Sequence, residues 1–215
     1  METIKKIVVI GPESTGKSTL CQKLAEHYNT LWVPEYARDY LEKQGTDYTY
    51  EDLLTIAKGQ IELEENIGNQ LQVISNKSSA NSLFTEHSAL VTHHSSLTTH
   101  HSSRITPYLF IDTDMYVMKV WAEYVFNNCH NWILNRIAER KYDLYLLCDI
   151  DLPWIEDKLR EYPDADIRKK LFFFYKELMA SQSTPWHIIS GNYEQRLQDA
   201  INAINENFTQ KIVQK

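Results

Sequence analysis

Apolar residues gather in five short continuous runs along the chain, each followed by a stretch with helical spacing of apolar positions. The runs are Ile4–Ile10, Leu31–Pro34, Tyr108–Asp112, Asp143–Cys148 and Trp186–Ser190. Continuous apolar runs of this length are typical of parallel strands, because helices cover both faces of such a sheet. The pattern therefore predicts five buried parallel strands.

The stretches between the runs predict six helices. They are Lys17–Tyr28, Glu51–Val73, Met115–Asn127, Trp132–Glu139, Ile167–Ser181 and Tyr193–Asn207. Because strands and helices alternate, the sequence predicts a three-layer α/β fold built on a five-stranded parallel sheet. A chain of 215 residues fits one such domain, with room for a small lid.

One segment, Asn76–Thr106, shows neither helical nor strand periodicity and is rich in Ser, Thr and His. A seven-residue repeat starts within it at His87, again at His94 and again at His101. No carboxylate or thiol accompanies the histidine pairs at metal-ligand spacing, so metal binding is not favoured. Since this composition cannot bury a core, we expect a disordered surface insertion between a helix and the third strand.

A phosphate-binding loop is predicted between the first strand and the first helix. The segment Gly11-Pro-Glu-Ser-Thr-Gly-Lys-Ser18 fits the pattern GxxxxGK(S/T) in full. The glycines allow backbone N–H groups to curl around a phosphate, and the following helix points its positive end at the same anion. Lys17 can reach the β- and γ-phosphates, and the Ser18 hydroxyl can ligate Mg²⁺.

This motif predicts a P-loop nucleotide-binding protein with ATP and Mg²⁺ as its cofactors. The residues predicted to hold the nucleotide are Gly11, Glu13, Ser14, Thr15, Gly16, Lys17, Ser18 and Thr19.

Carboxylates follow the second and third predicted strands. Glu35 and Arg38 come directly after the second, and Asp112 and Asp114 close the third. Since ligands of open α/β sheets lie at the carboxyl ends of the strands, these side chains should face the phosphate loop. Asp112 is the candidate acid for Mg²⁺, and Asp112 and Glu35 are both candidates for the general base. The alternative for each is a helix N-cap or a surface acid.

Arginines follow the fourth strand, in a segment that we expect to form a helical lid. Arg160 and Arg168 would close over the phosphates there and stabilise the charge that develops during transfer, although a solvated helix face is the alternative. The turn after the fifth strand, Ser190–Tyr193, is expected beside the adenine base, with Arg196 in the next helix.

The composition disfavours several classes of binding partner for this protein. The net charge of -7 disfavours a nucleic-acid binder that works through a broad basic surface. No apolar run approaches the roughly 18 residues that span a bilayer, and the N-terminal apolar stretch is too short for a signal sequence. Three widely spaced cysteines predict reduced thiols. We therefore expect a cytoplasmic protein with a small-molecule substrate, and the oligomeric state stays open.

Four motifs in order carry a resemblance to a known family: the phosphate loop, Glu-Tyr-Ala-Arg at 35–38, Phe-Ile-Asp-Thr-Asp at 110–114, and Leu-Pro-Trp-Ile-Glu-Asp-Lys-Leu-Arg at 152–160. Together they resemble the ribosylnicotinamide kinase domain of the bacterial bifunctional NAD-biosynthesis regulators and their stand-alone relatives, often labelled AAA-type ATPases. The resemblance covers nearly the whole chain except the His-rich insertion. It implies a nucleoside-kinase-like P-loop fold.

The activity implied by the resemblance is ATP-dependent phosphorylation of the 5′-hydroxyl of nicotinamide riboside, which gives nicotinamide mononucleotide. Lys17 and Ser18 match the family's phosphate and Mg²⁺ positions, and Asp112 matches its acid after the third strand. The other matching positions are Glu35, Arg38, Trp154 and Arg160. An aromatic face suits a cationic pyridinium ring, and Tyr36, Trp121 and Trp154 are the candidates for it.

The chain also departs from the family. Lys158 stands where the lid motif usually carries glycine, and the chain has no room for the regulators' adenylyltransferase and DNA-binding domains. Two alternatives remain beside the nicotinamide riboside kinase. One is a kinase for another nucleoside or metabolite, and the other is a P-loop ATPase switch that acts with a protein partner. A pure binding module is least favoured, because Lys17, Ser18 and Asp112 supply the parts for chemistry.

Overall fold

The computed structural model describes residues 3–86 and 108–208. Within these ranges, five parallel strands form one sheet: β1 (Lys5–Ile10), β2 (Trp32–Val33), β3 (Tyr108–Asp112), β4 (Leu144–Cys148) and β5 (Trp186–Ile189). Their order in the sheet is β2-β3-β1-β4-β5. The central strand β1 pairs with β3 on one side and β4 on the other, so the phosphate loop that follows β1 leaves the middle of the sheet.

Within the described residues, seven helices connect the strands and cover the sheet. They are α1 (Lys17–Tyr28), α2 (Tyr36–Gln44), α3 (Tyr50–Glu86), α4 (Met115–Phe126), α5 (Asn131–Glu139), α6 (Ala165–Ser181) and α7 (Tyr193–Phe208). No helix in the described ranges is both long and apolar enough to cross a membrane.

Alternating side chains of β1 separate the core into two layers. Ile7 and Val9 pack with residues of α1 and α7, whereas Val8 and Ile10 pack with residues of α3, α4 and α6. A third hydrophobic cluster lies among α2, α3, α4 and α5 and includes Leu53 and Met118. The predicted three-layer α/β fold with five parallel strands is confirmed.

The helix α2 was not predicted. Only two of its residues, Ala37 and Leu41, are buried, and charged or polar residues surround them in sequence. One i, i+4 pair of apolar residues gives little helical signal on its own. The helix matters for the site, because it places Arg38 one turn after Glu35.

The helix α3 is longer than the prediction and runs through Glu86. The part of the predicted disordered insertion from 76 to 86 is therefore helical, and no glycine or proline between Gly68 and Pro107 would interrupt a helix. The remainder of the Asn76–Thr106 prediction, including the histidine repeats, lies outside the described residues.

The segment between β4 and α6, residues 150–164, contains no helix, and we call it the lid segment. The prediction of a helical arginine-bearing lid is correct only for Arg168, which lies in α6. Pro153 and Pro163 explain the difference, since proline breaks a helix interior. Asp164 then caps α6 by accepting hydrogen bonds from the backbone N–H groups of Asp166 (2.8 Å) and Ile167 (3.0 Å).

Candidate functional site

The phosphate loop has the backbone geometry that its glycines permit. Gly11 and Gly16 have φ values of 140° and 78°, in a region that L side chains rarely occupy. A Cβ atom on Gly11 would lie 2.8 Å from the carbonyl oxygen of Cys148, so the loop passes directly across the end of β4. The loop therefore presents its N–H groups and the first turn of α1 at the carboxyl edge of the sheet.

Side chains hold this loop in shape. The Thr15 hydroxyl donates to the Pro12 carbonyl at 2.8 Å, and the Lys17 ammonium donates to the same oxygen at 3.0 Å. Arg196 donates to the Thr15 carbonyl at 3.0 Å from the far end of the chain.

Arg196 is fully buried and joins three loops. Besides Thr15, its guanidinium donates to the carbonyls of Gly191 (2.8 Å) and Asp149 (3.0 Å), and it forms an ion pair with Asp151. The loops after β1, β4 and β5 are thus fixed together. The sequence placed Arg196 near the adenine site but gave no signal for this role, because its partners are distant in sequence.

A cavity of about 410 Å³ lies beside the phosphate loop. It extends from Lys17 and Ser18 past α2 to a group of apolar and aromatic side chains on α4 and α6. The predicted site residues that line it are Gly11, Glu13, Ser14, Thr15, Gly16, Lys17, Ser18, Thr19, Glu35, Arg38, Trp121 and Arg160. Residues of the aromatic end that the sequence did not single out include Tyr124, Tyr162 and Tyr175.

Four predicted site residues do not line this cavity: Tyr36, Asp112, Trp154 and Arg168. The ring of Tyr36 packs on α3, where a Cβ atom on Gly59 would lie 2.2 Å from it. The guanidinium groups of Arg160 and Arg168 lie 5.9 and 5.7 Å from the centre of the Trp154 ring. Of the three aromatic candidates for a pyridinium ring, the structure places only Trp121 on the cavity.

Asp112 is fully buried at the end of β3. Burial raises the pKa of its carboxyl to about 7, the Glu35 carboxylate adds to this shift, and Lys17 opposes it. The side chains of Ser18 and Thr113 also lower this pKa, although no group among the described residues makes a hydrogen bond of normal geometry to either carboxylate oxygen. Burying a charged carboxylate without hydrogen bonds costs free energy, so binding a cation or a proton at these oxygens would be favourable.

Asp112 and Ser18 together fit a Mg²⁺ site. The ion takes few protein ligands and completes its octahedral shell with phosphate oxygens and water. Accordingly, the described residues contain no cluster of three His, Cys, Asp or Glu side chains that would hold a metal alone. The unpartnered Asp112 oxygens and the Ser18 hydroxyl on the cavity are the groups that would hold Mg²⁺ here.

Glu35 and Asp114 have different surroundings from Asp112. Glu35 is half-buried, lines the cavity, and accepts a long 3.5 Å hydrogen bond from the Thr113 hydroxyl. Asp114 caps α4, accepting from the N–H groups of Tyr116 (2.9 Å) and Val117 (3.4 Å), and its second oxygen accepts from the Tyr145 hydroxyl at 2.9 Å. Asp114 is therefore a structural cap, and Glu35 is the acid open to a ligand.

Two arginines converge on Ser14 of the phosphate loop. Arg160 donates to the Ser14 hydroxyl and Arg168 to the Ser14 carbonyl, both at 3.3 Å. Burial lowers the pKa of Arg168, and the charge of Arg160 adds to this effect. Two guanidinium groups beside a phosphate loop favour the binding of an anion at that point.

Gln60 is a buried site residue that the sequence did not reveal. Its side-chain oxygen accepts from the N–H of Tyr36 at 2.7 Å, and its nitrogen donates to the carbonyls of Pro34 and Asp112, both at 3.3 Å. This one amide on α3 ties the end of β2 to the end of β3. It therefore fixes the backbone on either side of Glu35 and next to the Asp112 carboxylate.

Replacing Gln60 by methionine should lower the turnover of the phosphoryl transfer that the sequence predicts by about 10–100-fold, because small displacements of reacting groups are costly. Stability should fall by about 2 kcal/mol, since three backbone groups lose their partner. Turnover and urea unfolding would be measured together. Tyr142→Phe, which removes the 2.9 Å bond to Glu64 at the opposite edge of the sheet, is the control for general destabilisation. Equal loss of turnover in both variants would contradict this positioning role.

A phosphate loop after the central strand, facing carboxylates at the ends of β2 and β3, defines the class of P-loop nucleotide-binding domains. Within this class, the chain belongs to the AAA domain family, whose model matches residues 6–102 and 93–196.

Two curated proteins are similar over most of the chain. The trifunctional NAD biosynthesis/regulator protein NadR of Salmonella typhimurium is 22% identical over 211 residues, which cover 94% of this chain and 42% of that protein. NadR of Escherichia coli is 23% identical over 208 residues, with the same coverages of 94% and 42%. The chain thus spans less than half the length of these relatives. The resemblance inferred from the four motifs is confirmed.

Solved structures share the fold. NadR in complex with NR superposes with a TM-score of 0.61 at 22% identity, covering 96% of this chain and 52% of that one. Thymidylate kinase from Ehrlichia chaffeensis gives a TM-score of 0.58 at 14% identity, with coverages of 94% and 100%. The predicted P-loop fold of the nucleoside- and nucleotide-kinase type is therefore confirmed.

Proposed function

We propose that this chain is an ATP-dependent kinase that phosphorylates a nucleoside, with nicotinamide riboside as its acceptor. The observation that carries the proposal is the cavity that joins Lys17 and Ser18 to Glu35 and to the aromatic end at Trp121. A nucleotide and a nucleoside could therefore lie end to end beside one carboxylate. The similarity to NadR, which has been crystallised in complex with NR, supports this choice of acceptor.

The residues of the cavity suit in-line transfer of a phosphoryl group. The loop N–H groups and Lys17 would hold the β- and γ-phosphates, and Arg160 would offset charge that develops on the transferred group. The oxygen of the acceptor hydroxyl would bond to the γ-phosphorus as the bond from that phosphorus to ADP breaks. Glu35 would accept the proton that the hydroxyl loses. Of the two carboxylates proposed for this task, Glu35 is better placed, because it lines the cavity, whereas Asp112 is fully buried with Ser18 and Lys17 as its neighbours at the phosphate end.

Ser18 and Asp112 would hold Mg²⁺, which supplies charge neutralisation at the β- and γ-phosphates when it is bound. The cavity is also lined by the aromatic side chains of Trp121 and Tyr124 and by the Glu35 carboxylate. A cationic pyridinium ring is attracted by both kinds of group. These features favour nicotinamide riboside over an uncharged nucleoside.

The test is an assay of purified protein with Mg-ATP and a panel of nucleosides that includes nicotinamide riboside. ADP release and the mass of the product would be followed. We expect nicotinamide mononucleotide, with turnover reduced by at least about 100-fold in Lys17→Ala. Lys23→Ala, an exposed lysine of the same helix paired only with Glu26 among the described residues, is the matched control and should leave turnover unchanged.

The other outcomes separate the alternatives. Phosphorylation of a different nucleoside would keep the kinase and replace the acceptor. ADP release at the same rate with and without every acceptor would reject the kinase and favour an ATPase switch with a protein partner.

A further inference from the structure

Glu13 lies in the phosphate loop, yet its carboxylate contacts the lid segment. One oxygen, Oε2, accepts hydrogen bonds from the consecutive backbone N–H groups of Glu161 (3.0 Å) and Tyr162 (3.2 Å). A carboxylate that accepts two N–H groups forms charge-assisted bonds, which are stronger than neutral ones. The same contact directs the negative charge towards the lid backbone.

Ser14 holds the other end of the same segment. Its hydroxyl oxygen accepts from the N–H of Ile155 at 2.9 Å and from the guanidinium of Arg160 at 3.3 Å. Two successive side chains of the phosphate loop thus bind the lid segment on both sides of Arg160. Because the lid segment contains no helix or strand, such contacts must supply the order that regular structure would otherwise provide.

The opposite side of the lid segment contacts the acceptor half of the cavity. Arg38 of α2 pairs with Asp157 at 3.1 Å, and the Tyr48 hydroxyl donates to Glu161 at 2.7 Å. Trp121 in turn donates to the Tyr48 hydroxyl at 2.8 Å. The lid segment therefore bridges the phosphate loop and the residues around the proposed acceptor position.

We propose that Glu13 is a positioning residue that fixes the lid segment on the phosphate loop and so keeps Arg160 at the transferred phosphate. The role of Arg160 in this inference rests on the proposed kinase function, whereas the attachment of the lid does not. Glu13 was predicted among the loop residues that hold the nucleotide, a role that its backbone N–H can keep. Its carboxylate is better suited to the lid N–H groups, because a negative charge next to a triphosphate would be repelled.

Two substitutions at Glu13 test this role. Glu13→Gln keeps an oxygen that can accept both N–H groups, whereas Glu13→Ala removes it. We expect hydrogen exchange at the Glu161 and Tyr162 amides, followed by NMR, to accelerate by at least about tenfold in Glu13→Ala and to stay near the wild-type rate in Glu13→Gln. This measurement needs no substrate, so it decides the attachment even if no acceptor is phosphorylated.

A double-mutant cycle tests the link to Arg160. Glu13→Ala alone should lower turnover by about 10–100-fold, and Glu13→Gln should restore most of it. In an Arg160→Ala background, Glu13→Ala should have little further effect, since the group that it positions is gone. Unchanged amide exchange in Glu13→Ala would overturn the attachment, and fully additive losses of turnover would overturn the link to Arg160. An inactive wild type would instead reject the proposed function and leave the exchange result to stand.

Discussion

Asp112→Asn should lose most of the phosphoryl-transfer activity and, at pH 8, melt at a higher temperature than the wild-type protein. The loss of activity follows from the proposed Mg²⁺ site, because an amide is a much weaker ligand than a carboxylate for this ion. We expect turnover to fall by about 100- to 1000-fold, as when one charge-stabilising group is removed from an active site.

The gain in stability follows from the raised pKa of Asp112. Its value of about 7 in the folded protein lies above the ordinary value of 3.8, chiefly because the carboxyl is buried. The folded state therefore keeps a proton that the unfolded state loses, and the free energy of unfolding falls as pH rises from about 4 to about 7. An asparagine does not titrate. The melting temperature of the variant should exceed that of the wild type by a few degrees above pH 7, and the difference should vanish near pH 4.

Thermal unfolding across this pH range, together with turnover at pH 8, measures both effects. Asp114→Asn is the matched control, since burial raises the pKa of this neighbouring carboxyl to about 7 as well. Asparagine caps a helix as well as aspartate does, so Asp114→Asn can keep the cap of α4 and the contact with Tyr145, and turnover should stay near the wild-type value. A less stable Asp112→Asn at pH 8, or one with unchanged turnover, would contradict the prediction.

The strands were predictable because burial on both faces leaves a continuous apolar signal. The bounds of β3, Tyr108–Asp112, match the prediction in full, and those of β1 differ by one residue. The edge strand β2 is shorter than predicted: it covers Trp32–Val33, whereas the prediction was Leu31–Pro34. An edge strand pairs on one side only, so its length depends on its single neighbour more than on its own sequence.

The site was predictable where its residues are adjacent in sequence. The phosphate loop is one such segment, and Glu35, Arg38 and Arg160 also line the cavity as predicted. The roles of Gln60 and Arg196 could not be predicted, because each follows from contacts with distant backbone. The Arg196 guanidinium and the Thr15 carbonyl, for example, are 181 residues apart. No local pattern marks such a residue.

The aromatic residues predicted to contact a pyridinium ring also show what sequence cannot predict. Trp154 and Tyr36 were chosen because their motifs match the family, but side-chain direction depends on packing. Trp154 packs with two arginines and Tyr36 packs with α3, and neither side chain lines the cavity. Tyr124 lines the cavity instead, from a helix whose apolar spacing predicts only that it packs on the sheet.

A buried ionic cluster lies at the edge of the sheet opposite the phosphate loop, and the fold should be sensitive to the loss of its central carboxylate. The Glu64 side chain on α3 is 1% exposed, and its Oε1 lies 2.8 Å from both Lys6 Nζ and Arg140 Nη2. The Tyr142 hydroxyl donates to the other carboxylate oxygen at 2.9 Å. One carboxylate thereby joins α3 to β1 and to the segment that precedes β4.

Glu64→Ala should lower the free energy of unfolding by about 3–5 kcal/mol, because it leaves two cations and a hydroxyl beside an emptied, buried position. Urea unfolding at pH 7 measures the loss. The matched control is Glu65→Ala, which removes the adjacent carboxylate that pairs with the same arginine at 2.9 Å but is 58% exposed. That pair should contribute less than about 1 kcal/mol, since solvent screens it. Similar losses in the two variants would show that the burial of Glu64 adds nothing to its ion pairs.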